Sequence, residues 1–341
     1  MTNYGLMTND ASGAIAIEHH NQTSVYSGSF NLTNSGTFYN RGNFTSFGNL
    51  TNSAGGLMTN SGTFSFESAT INAGNFSAPV ITNYGNFTNA AGGTITEDGP
   101  TIINLGTITN AGTIAEGQNV FSLIENLGTV ASNGTIANVG LYENNGTTTN
   151  SGTITNIVGC TRASCGSLSN FGVIVNTLGG TIDNQGNIGN NPNATLTNEG
   201  NLTNSRVFIN IYNGSVTNSG TLNNSGSLTN LGSIINLGSI ISSGTIINPG
   251  YIGNNSSGSI TNSRTITNAG SIDNSGSITN TCGGVIFGSG IITGNQVETT
   301  TVCTATSSTV PEFPSAMIVP VMLSVLILSS LLSGRRLKHR A

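Results

Sequence analysis

Apolar side chains recur every six residues along most of the chain, with polar or small residues between them. The clearest run extends from Asn218 to Asn280, where most units read Asn-x-Gly-Ser/Thr-Ile/Leu-x, with Ser242 in place of the asparagine once and one longer unit after Asn254. A six-residue period fits neither the helical period nor the heptad, and a glycine in nearly every unit opposes helix further. A short strand fits better, because one apolar side chain points inward while its Ser or Thr neighbours point outward.

Such a strand cannot bury its single apolar side chain alone. Stacked coils can, because they align the apolar side chains in rows and pair neighbouring strands in parallel about 4.8 Å apart. The recurring asparagine can pair its side-chain amide with that of the next coil. We expect the Asn-x-Gly step to form the corner, since both residues tolerate the left-handed conformation. The fold class predicted is all-β, a parallel β-solenoid followed by one C-terminal transmembrane helix.

The repeat leaves the cross-section and the handedness of the coil open. Three six-residue sides give a coil of about 18 residues, and two sides give about 12. Eight-residue units also occur, as from Asn176 to Asn184 and from Asn254 to Asn262, and they share no phase that would place them all at one corner. Disorder is the competing interpretation of so Gly-, Asn- and Ser-rich a chain, but a disordered chain has no need of aliphatic residues in register.

Charged residues are scarce, at 6% of the 341 residues, and the formal net charge is −5. Before Pro311 the basic residues are single and far apart: Arg41, Arg162, Arg206 and Arg264. Nucleic-acid binding requires a clustered basic face. We therefore predict no nucleic-acid partner.

The sequence predicts no catalytic residue, cofactor or metal site. Glycoside cleavage needs two carboxylates held several ångströms apart, and a metal site needs three or four ligands, which the pair His19 and His20 beside Glu18 does not supply. Glu97 and Asp98 are adjacent, but neighbours on a strand face opposite sides. The other acidic residues of the repeats are single and too sparse to bind calcium in series: Glu67, Glu116, Glu125, Glu143, Asp183, Glu199 and Asp273.

Four cysteines make an even count, which in an extracellular protein predicts two disulfides. We expect local pairing of Cys160 with Cys165 and of Cys282 with Cys303, among three connectivities. Zinc is the rival interpretation, but no Cys-x-x-Cys motif or nearby histidine supports it. Asn-x-Ser/Thr sequons occur throughout and predict surface glycans on a secreted chain; the candidates are Asn43, Asn49, Asn86, Asn201, Asn213 and Asn223.

The C-terminal residues change in character after the repeats, which we assign to residues 1–294. A Thr/Ser-rich stalk is predicted over 295–314, ending in the sequence PEFP. Residues 315–333 carry no charge and are long enough to span a hydrocarbon core of about 30 Å. The basic tail 334–341 is then cytoplasmic and the repeats lie outside the cell. Met1 leads straight into the repeat phase without an export signal, so we expect a signal from an upstream start.

Pro311-Glu312-Phe313, a single apolar helix and the closing Arg335-Arg336 together resemble the PEF-type C-terminal sorting signal of archaeal surface proteins. That resemblance implies cleavage near the tripeptide by an archaeosortase, transfer to lipid, and loss of the helix from the mature protein. The Asn-x-Gly-Thr-Ile repeats are similar to those of autotransporter and haemagglutinin-like adhesins, although no translocating barrel follows them here.

These observations favour a non-enzymatic structural or adhesive rod on the cell surface, anchored at its C-terminus. Its partners would be the membrane and, through repeated low-affinity contacts, surface glycans or neighbouring surface proteins. Two alternatives stay open. One is a β-helical enzyme that acts on polysaccharide. The other is a solenoid that binds ice or another flat surface, for which Thr107-Ile108-Thr109, Thr153-Ile154-Thr155 and Thr265-Ile266-Thr267 are the candidate units.

Overall fold

The computed structural model describes residues 31–40, 43–46, 49–60, 63–66, 69–78, 80–97, 101–116, 122–157 and 166–300, together with three strands nearer the N-terminus. Within these ranges the chain forms strands, turns and no helix. The strands make three parallel sheets, and each strand pairs with the strands three before and three after it. One coil therefore gives one strand to each sheet. The predicted parallel β-solenoid is confirmed, and its coil has three sides.

The three sheets have 15, 15 and 14 strands in the described ranges. Sheet A contains β1 (Leu6–Asn9), β4 (Asn31–Asn34), β7 (Leu50–Asn52), β10 (Thr70–Asn72), β13 (Asn86–Asn89), β16 (Thr107–Asn110), β19 (Thr129–Ser132), β22 (Thr147–Asn150), β25 (Val173–Asn176), β28 (Thr195–Asn198), β31 (Ser215–Asn218), β34 (Ser233–Asn236), β37 (Tyr251–Asn254), β40 (Ser271–Asn274) and β43 (Ile291–Gly294). Sheet B contains β2 (Ala14–Ile17), β5 (Thr37–Asn40), β8 (Leu57–Asn60), β11 (Asn75–Ser77), β14 (Thr94–Glu97), β17 (Thr113–Glu116), β20 (Thr135–Asn138), β23 (Thr153–Asn156), β26 (Thr181–Asn184), β29 (Asn201–Asn204), β32 (Thr221–Asn224), β35 (Ser239–Ser242), β38 (Ser259–Asn262), β41 (Ser277–Thr281) and β44 (Val297–Thr300). Sheet C contains β3 (Val25–Gly28), β6 (Asn43–Ser46), β9 (Thr63–Phe66), β12 (Val80–Asn83), β15 (Thr101–Asn104), β18 (Leu123–Asn126), β21 (Leu141–Asn144), β24 (Ser167–Asn170), β27 (Asn187–Asn190), β30 (Val207–Asn210), β33 (Ser227–Asn230), β36 (Thr245–Asn248), β39 (Thr265–Asn268) and β42 (Val285–Phe287).

A typical strand buries its second and fourth residues and leaves the first and third on the outer face. In β23 the buried residues are Ile154 and Asn156, both fully inaccessible, and the outer residues are Thr153 and Thr155. The second residues of successive strands stack into one aliphatic and aromatic core that runs along the coils. This is the predicted arrangement, because the period of two in a strand sends alternate side chains to opposite faces.

Coils differ in length because the corners differ in length. Asparagines on neighbouring coils are separated by 17 to 28 residues. We call the corners AB, BC and CA after the two sheets that each one joins in chain order. Four eight-residue units, which start at Asn52, Asn89, Asn176 and Asn254, lie at corner AB, and the two that start at Asn190 and Asn210 lie at corner CA. The predicted lack of a common corner for these units is confirmed.

The physical reason proposed for the glycine of the six-residue corner is wrong. Left-handed residues occur in the longer corners, for example at Gly179, Asn193 and Asn213. The glycine of a six-residue corner such as Gly134 does not adopt that conformation. A Cβ at Gly134 would overlap the carbonyl oxygen of Gly112 in the coil before, so the requirement is close approach of two backbones.

One coil carries a polar network inside the otherwise apolar core. The Tyr142 hydroxyl lies 2.7 Å from Thr148 Oγ1, which in turn donates to Asn144 Oδ1 at 2.9 Å. Because the Thr148 hydroxyl is the donor in the second bond, Tyr142 donates in the first. Tyr142 and Thr148 are the second residues of β21 and β22, so two facing core positions are polar together and satisfy each other.

Residue contacts divide the chain into two units, Met1–Val302 and Cys303–Ala341, and the described residues belong to the first. Strand β44 pairs with β41, so the sheet register continues past the predicted end of the repeats at residue 294. No helix of the described residues has the length and apolar character needed to cross a membrane. The predicted membrane helix and basic tail, residues 315–341, lie outside the described residues, as does most of the predicted stalk.

Candidate interaction surface of the solenoid

Three ladders of asparagine line the inside of the corners. In a typical member, Asn104 Nδ2 donates to Asn126 Oδ1 at 2.8 Å and to the backbone oxygen of Thr129 at 2.9 Å. Both amide protons are thus used, and the side-chain oxygen of the next asparagine is satisfied as well. The predicted pairing of asparagines between coils is confirmed, and these side chains are fully buried rather than partly buried. The ladders therefore hold the coils together and present nothing to a partner.

Each ladder leaves an acceptor without a donor where the preceding coil lacks asparagine. Asn83 pairs in register with Phe66, and Asn150 pairs with Ser132. The buried Oδ1 atoms of both asparagines have no hydrogen-bond partner, and neither has that of Asn138, which follows the strand that ends in Glu116. An unpaired buried acceptor costs about 1–3 kcal/mol. These positions weaken the stack locally and are not ligand sites, because the unpaired oxygen atoms are buried and closed to solvent.

Hydroxyl groups cover much of the outer face of sheet B. Five threonines stand in register on consecutive coils at the first strand position: Thr94, Thr113, Thr135, Thr153 and Thr181. The three Thr-x-Thr units that suggested flat-surface binding do not share a face, since Thr107-Thr109 lies in sheet A, Thr153-Thr155 in sheet B and Thr265-Thr267 in sheet C. They form no common array, so they lend the flat-surface alternative no support.

The description of the carboxylates as single is wrong. Glu125 and Glu143 are register partners on the outer face of sheet C, and Glu97 and Glu116 are register partners in sheet B. The error arose because each full turn of the solenoid brings together residues that are distant in sequence. Glu143 Oε1 accepts a hydrogen bond from Asn145 Nδ2 at 2.8 Å. Among the described residues no group of three or more His, Cys, Asp or Glu side chains could hold a metal ion.

Large apolar side chains are concentrated at corner CA. The residue after the ladder asparagine there is Tyr84, Leu105, Leu127 or Phe171 in different coils, and these side chains are 36–50% exposed. At corner AB the same position is mostly Ala, Ser, Asn or Glu. The backbone N–H groups of Leu105 and Phe171 bond to ladder-asparagine carbonyls of the preceding coil at 2.8 and 2.7 Å. The corner backbone is thereby fixed while the side chain points out to solvent.

The sequence-predicted site residues fall in different places. Of the glycosylation candidates, Asn49, Asn86, Asn201 and Asn213 are exposed and Asn223 is half-buried on an outer face. The side chain of Asn43 is outside the described residues. Asn254, which also begins a sequon, is a buried ladder residue and is closed to modification in the folded chain. Use of the exposed sequons stays a prediction.

The predicted disulfides and sorting motif lie largely beyond the described part of the chain. Cys160, Cys165 and Cys303 are outside it, as are Pro311, Glu312, Phe313, Arg335 and Arg336. Cys282 lies at corner BC after β41, in the left-handed conformation with φ 53°. The pairing of Cys282 with Cys303 therefore stays a prediction.

Burial changes the titration of one side chain in the described coils. Burial raises the pKa of the Tyr142 hydroxyl above its usual range. Because the hydroxyl is sealed inside the coil, we assign it to stability and not to chemistry.

No protein-family profile and no curated protein sequence matches the chain. Among solved structures, a crystal structure of a TibC-catalysed hyperglycosylated TibA fragment aligns at 15% identity over 87% of this chain and 100% of that one, with a TM-score of 0.34. At this similarity the alignment carries no inference about function.

Proposed function

We propose that this chain is a non-enzymatic structural or adhesive rod of the cell surface, which binds through many weak contacts repeated along its length. The observation that carries the proposal is the repetition itself. Outer residues recur at the same place on successive coils, about 4.8 Å apart, as the five threonines of sheet B do. A ligand with its own repeat meets many equivalent contacts on such a surface, and weak contacts in series give avidity.

We place the rod outside the cell on the evidence of the sequence beyond Thr300. The uncharged segment 315–333 and the basic tail form a membrane anchor, with the repeats outside. The PEF-type tripeptide that begins at Pro311 supports processing of the chain by an archaeosortase-type enzyme. The exposed sequons at Asn86, Asn201 and Asn213 suit an extracellular surface.

Adhesion should depend on the number of coils. Residues 219–236 make one complete coil, and residues 199–236 make two. We expect cells that produce the full chain to adhere better than cells that lack it. Adhesion should fall in steps when one coil, residues 219–236, and then two coils, residues 199–236, are deleted. Protease shaving of intact cells should release repeat peptides. Repeats protected from protease, or adhesion that is indifferent to the chain, would refute the proposal.

A polysaccharide-cleaving enzyme is the second candidate, and one observation favours it. Glu125 and Glu143 are register partners on adjacent strands of an outer face, which places two carboxylates near enough to cooperate. Such an enzyme would release reducing sugars from a polysaccharide and would lose this activity with Glu143→Gln alone. A rod would release none, and the same variant would adhere like the native chain.

A further inference from the structure

A solenoid with so little charge offers a ligand few anchors other than its large exposed side chains. Four exposed aromatic residues lie at or next to corner CA. Tyr84, 50% exposed, lies in the Phe-rich coils, and Phe171, Tyr212 and Tyr251, which are 36%, 64% and 37% exposed, follow further along the chain. Phe171 precedes β25, Tyr212 precedes β31, and Tyr251 begins β37.

The rings of Phe171, Tyr212 and Tyr251 occur on every second coil. The strand order of sheet A in this region is β25, β28, β31, β34 and β37, so one coil without an exposed ring separates each pair. Two coils span about 9.6 Å at the usual strand spacing. That distance is close to the length of two linked pyranose rings in an extended chain.

Local structure presents each ring to solvent. Tyr212 stands on a long corner whose next residue, Asn213, is left-handed with φ 62°. The Tyr251 ring extends across Gly253, where an added Cβ would lie 2.8 Å from the tyrosine hydroxyl oxygen. The missing side chain at Gly253 thus leaves the space that this ring occupies on sheet A.

The surroundings of the rings are polar and uncharged. Between residues 166 and 258 the charged residues are Asp183 in sheet B, Glu199 at corner AB and Arg206 at corner BC, all away from corner CA. Beside the rings lie the exposed Asn193 and Asn213 and the outer hydroxyls of sheet A. The surface offers apolar faces for stacking and neutral groups for hydrogen bonds.

We propose that the corner CA track, from Phe171 to Tyr251, binds an extended neutral polysaccharide whose sugar rings stack on every second coil. Charge decides between partners, because an anionic polymer would find no cation along this edge and a cationic one no carboxylate. The proposal rests on the adhesive function proposed above and names its ligand class. Each ring contributes a modest amount, and the three act together through avidity.

Binding isotherms of the full-length chain in mild detergent test the track. The probes are insoluble cellulose and chitin as neutral polysaccharides and alginate as an anionic one. We expect binding to at least one neutral polymer and none to alginate. Tyr212→Ala should weaken binding about threefold or more, and the triple variant Phe171→Ala/Tyr212→Ala/Tyr251→Ala about a hundredfold, within the range of stacking energies seen for planar ligands.

The matched control is Leu178→Ala, since Leu178 is 85% exposed but lies at corner AB. It should bind like the native chain. A second variant tests spacing without removing any ring. Duplication of residues 219–236 inserts one coil between Tyr212 and Tyr251, so that their separation becomes three coils. We expect it to keep its thermal unfolding temperature and bind about threefold to tenfold more weakly.

The track is refuted if the native chain binds neither neutral polymer, if it prefers alginate, if Leu178→Ala weakens binding as much as Tyr212→Ala, or if the extra coil leaves affinity unchanged. These outcomes are separate from failure of the rod. A chain that adheres in steps with coil number but ignores cellulose and chitin keeps the adhesive function and loses the track. A chain that binds cellulose without promoting adhesion loses the proposed function.

Discussion

Two parts of the solenoid build the same coil with different residues. In the Phe segment, residues 31–97, the core contains Phe38, Phe44, Phe64, Phe76 and Phe87, whose successive ring centroids are 4.6 to 6.3 Å apart. In the Ile segment, residues 166–280, the core is mostly isoleucine and leucine. There, Ser242 is the one inner corner position that is not asparagine. Aromatic packing and one continuous ladder, which joins Asn34, Asn52, Asn72 and Asn89 in sheet A, close the triangular section in the Phe segment. Aliphatic packing and ladders in all three sheets close it in the Ile segment.

The difference shows what the ladders add. Ring packing tolerates several arrangements, whereas an asparagine must meet another asparagine at one height and one angle to use both amide protons. In the Phe segment the inner corner positions include Ser46 and Ala78, which break the ladders. We infer that the Ile segment fixes strand register through its ladders and that the Phe segment depends more on burial of apolar surface.

The largest expected effect on stability comes from a charge placed within a ladder of the Ile segment. Asn198→Asp preserves shape but removes both donors, so a buried carboxylate would face Asn218 Oδ1, now 2.7 Å from Asn198 Nδ2. We expect a loss of about 3–5 kcal/mol in the free energy of unfolding, measured by urea denaturation at pH 7. Asn133→Asp, at an exposed corner, is the control and should change stability little. Equal effects would contradict the ladder account.

The region between the two segments holds the buried pair Tyr142 and Thr148. Thr148→Val removes the acceptor of the tyrosine hydroxyl and should cost about 1–3 kcal/mol. Adding Tyr142→Phe should recover most of that loss, because both polar groups are then gone. Thr149→Val, on the outer face, is the matched control. A double variant as unstable as Thr148→Val alone would show that the hydrogen bond is not the cause.

The same tyrosine predicts an alkaline weakness. Its folded pKa is raised by burial, so ionisation favours the unfolded chain once the pH exceeds the ordinary value of 10.0. Stability from this group is complete below pH 10 and falls above it by about 1.4 kcal/mol per pH unit. Tyr142→Phe should show a shallower decline between pH 10 and 11 in urea denaturation. Parallel declines for the two chains would contradict this assignment.

Repairing an interrupted ladder should stabilise the chain. Ser132 accepts a hydrogen bond from Asn110 Nδ2 at 3.1 Å, but Asn150 Oδ1 on the next coil has no donor. Ser132→Asn supplies that donor, and we expect a gain of about 1 kcal/mol in the free energy of unfolding. Ser219→Asn, at an exposed corner, tests for a general effect of asparagine and should be neutral.

The smallest expected effect concerns the stacked glutamates. Glu143→Gln relieves the repulsion between register partners Glu125 and Glu143, and should stabilise the chain by about 0.2–1 kcal/mol at low ionic strength. The gain should shrink in 0.5 M salt, because salt screens exposed charges. Glu199→Gln at corner AB is the control. A gain that persists unchanged in salt would rule out charge repulsion as its source.

Much of the fold could be predicted because the repeat encodes its own neighbours. The six-residue period gave the strands, the parallel stack and the pairing of asparagines between coils. It could not give three sides, since a hexapeptide side is compatible with two or three per coil. Residues that become neighbours only through coils of unequal length were hidden for the same reason. Glu125 and Glu143 illustrate this, and so does the recurrence of Phe171, Tyr212 and Tyr251 on every second coil, because these residues are 41 and 39 positions apart in the sequence.

The three-sided coil is tested most directly by oxidative cross-linking of paired cysteines followed by mass spectrometry of the linked peptides. Thr221 and Ser239 are register partners in sheet B on successive coils, whereas Ser233 begins β34 of sheet A, where a two-sided coil would place the partner of Thr221. Neighbouring strands about 4.8 Å apart lie within the Cα separation that a disulfide accepts. We predict rapid cross-linking of Thr221→Cys/Ser239→Cys and little of Thr221→Cys/Ser233→Cys. The reverse result would mean a two-sided coil and would contradict the stack described above.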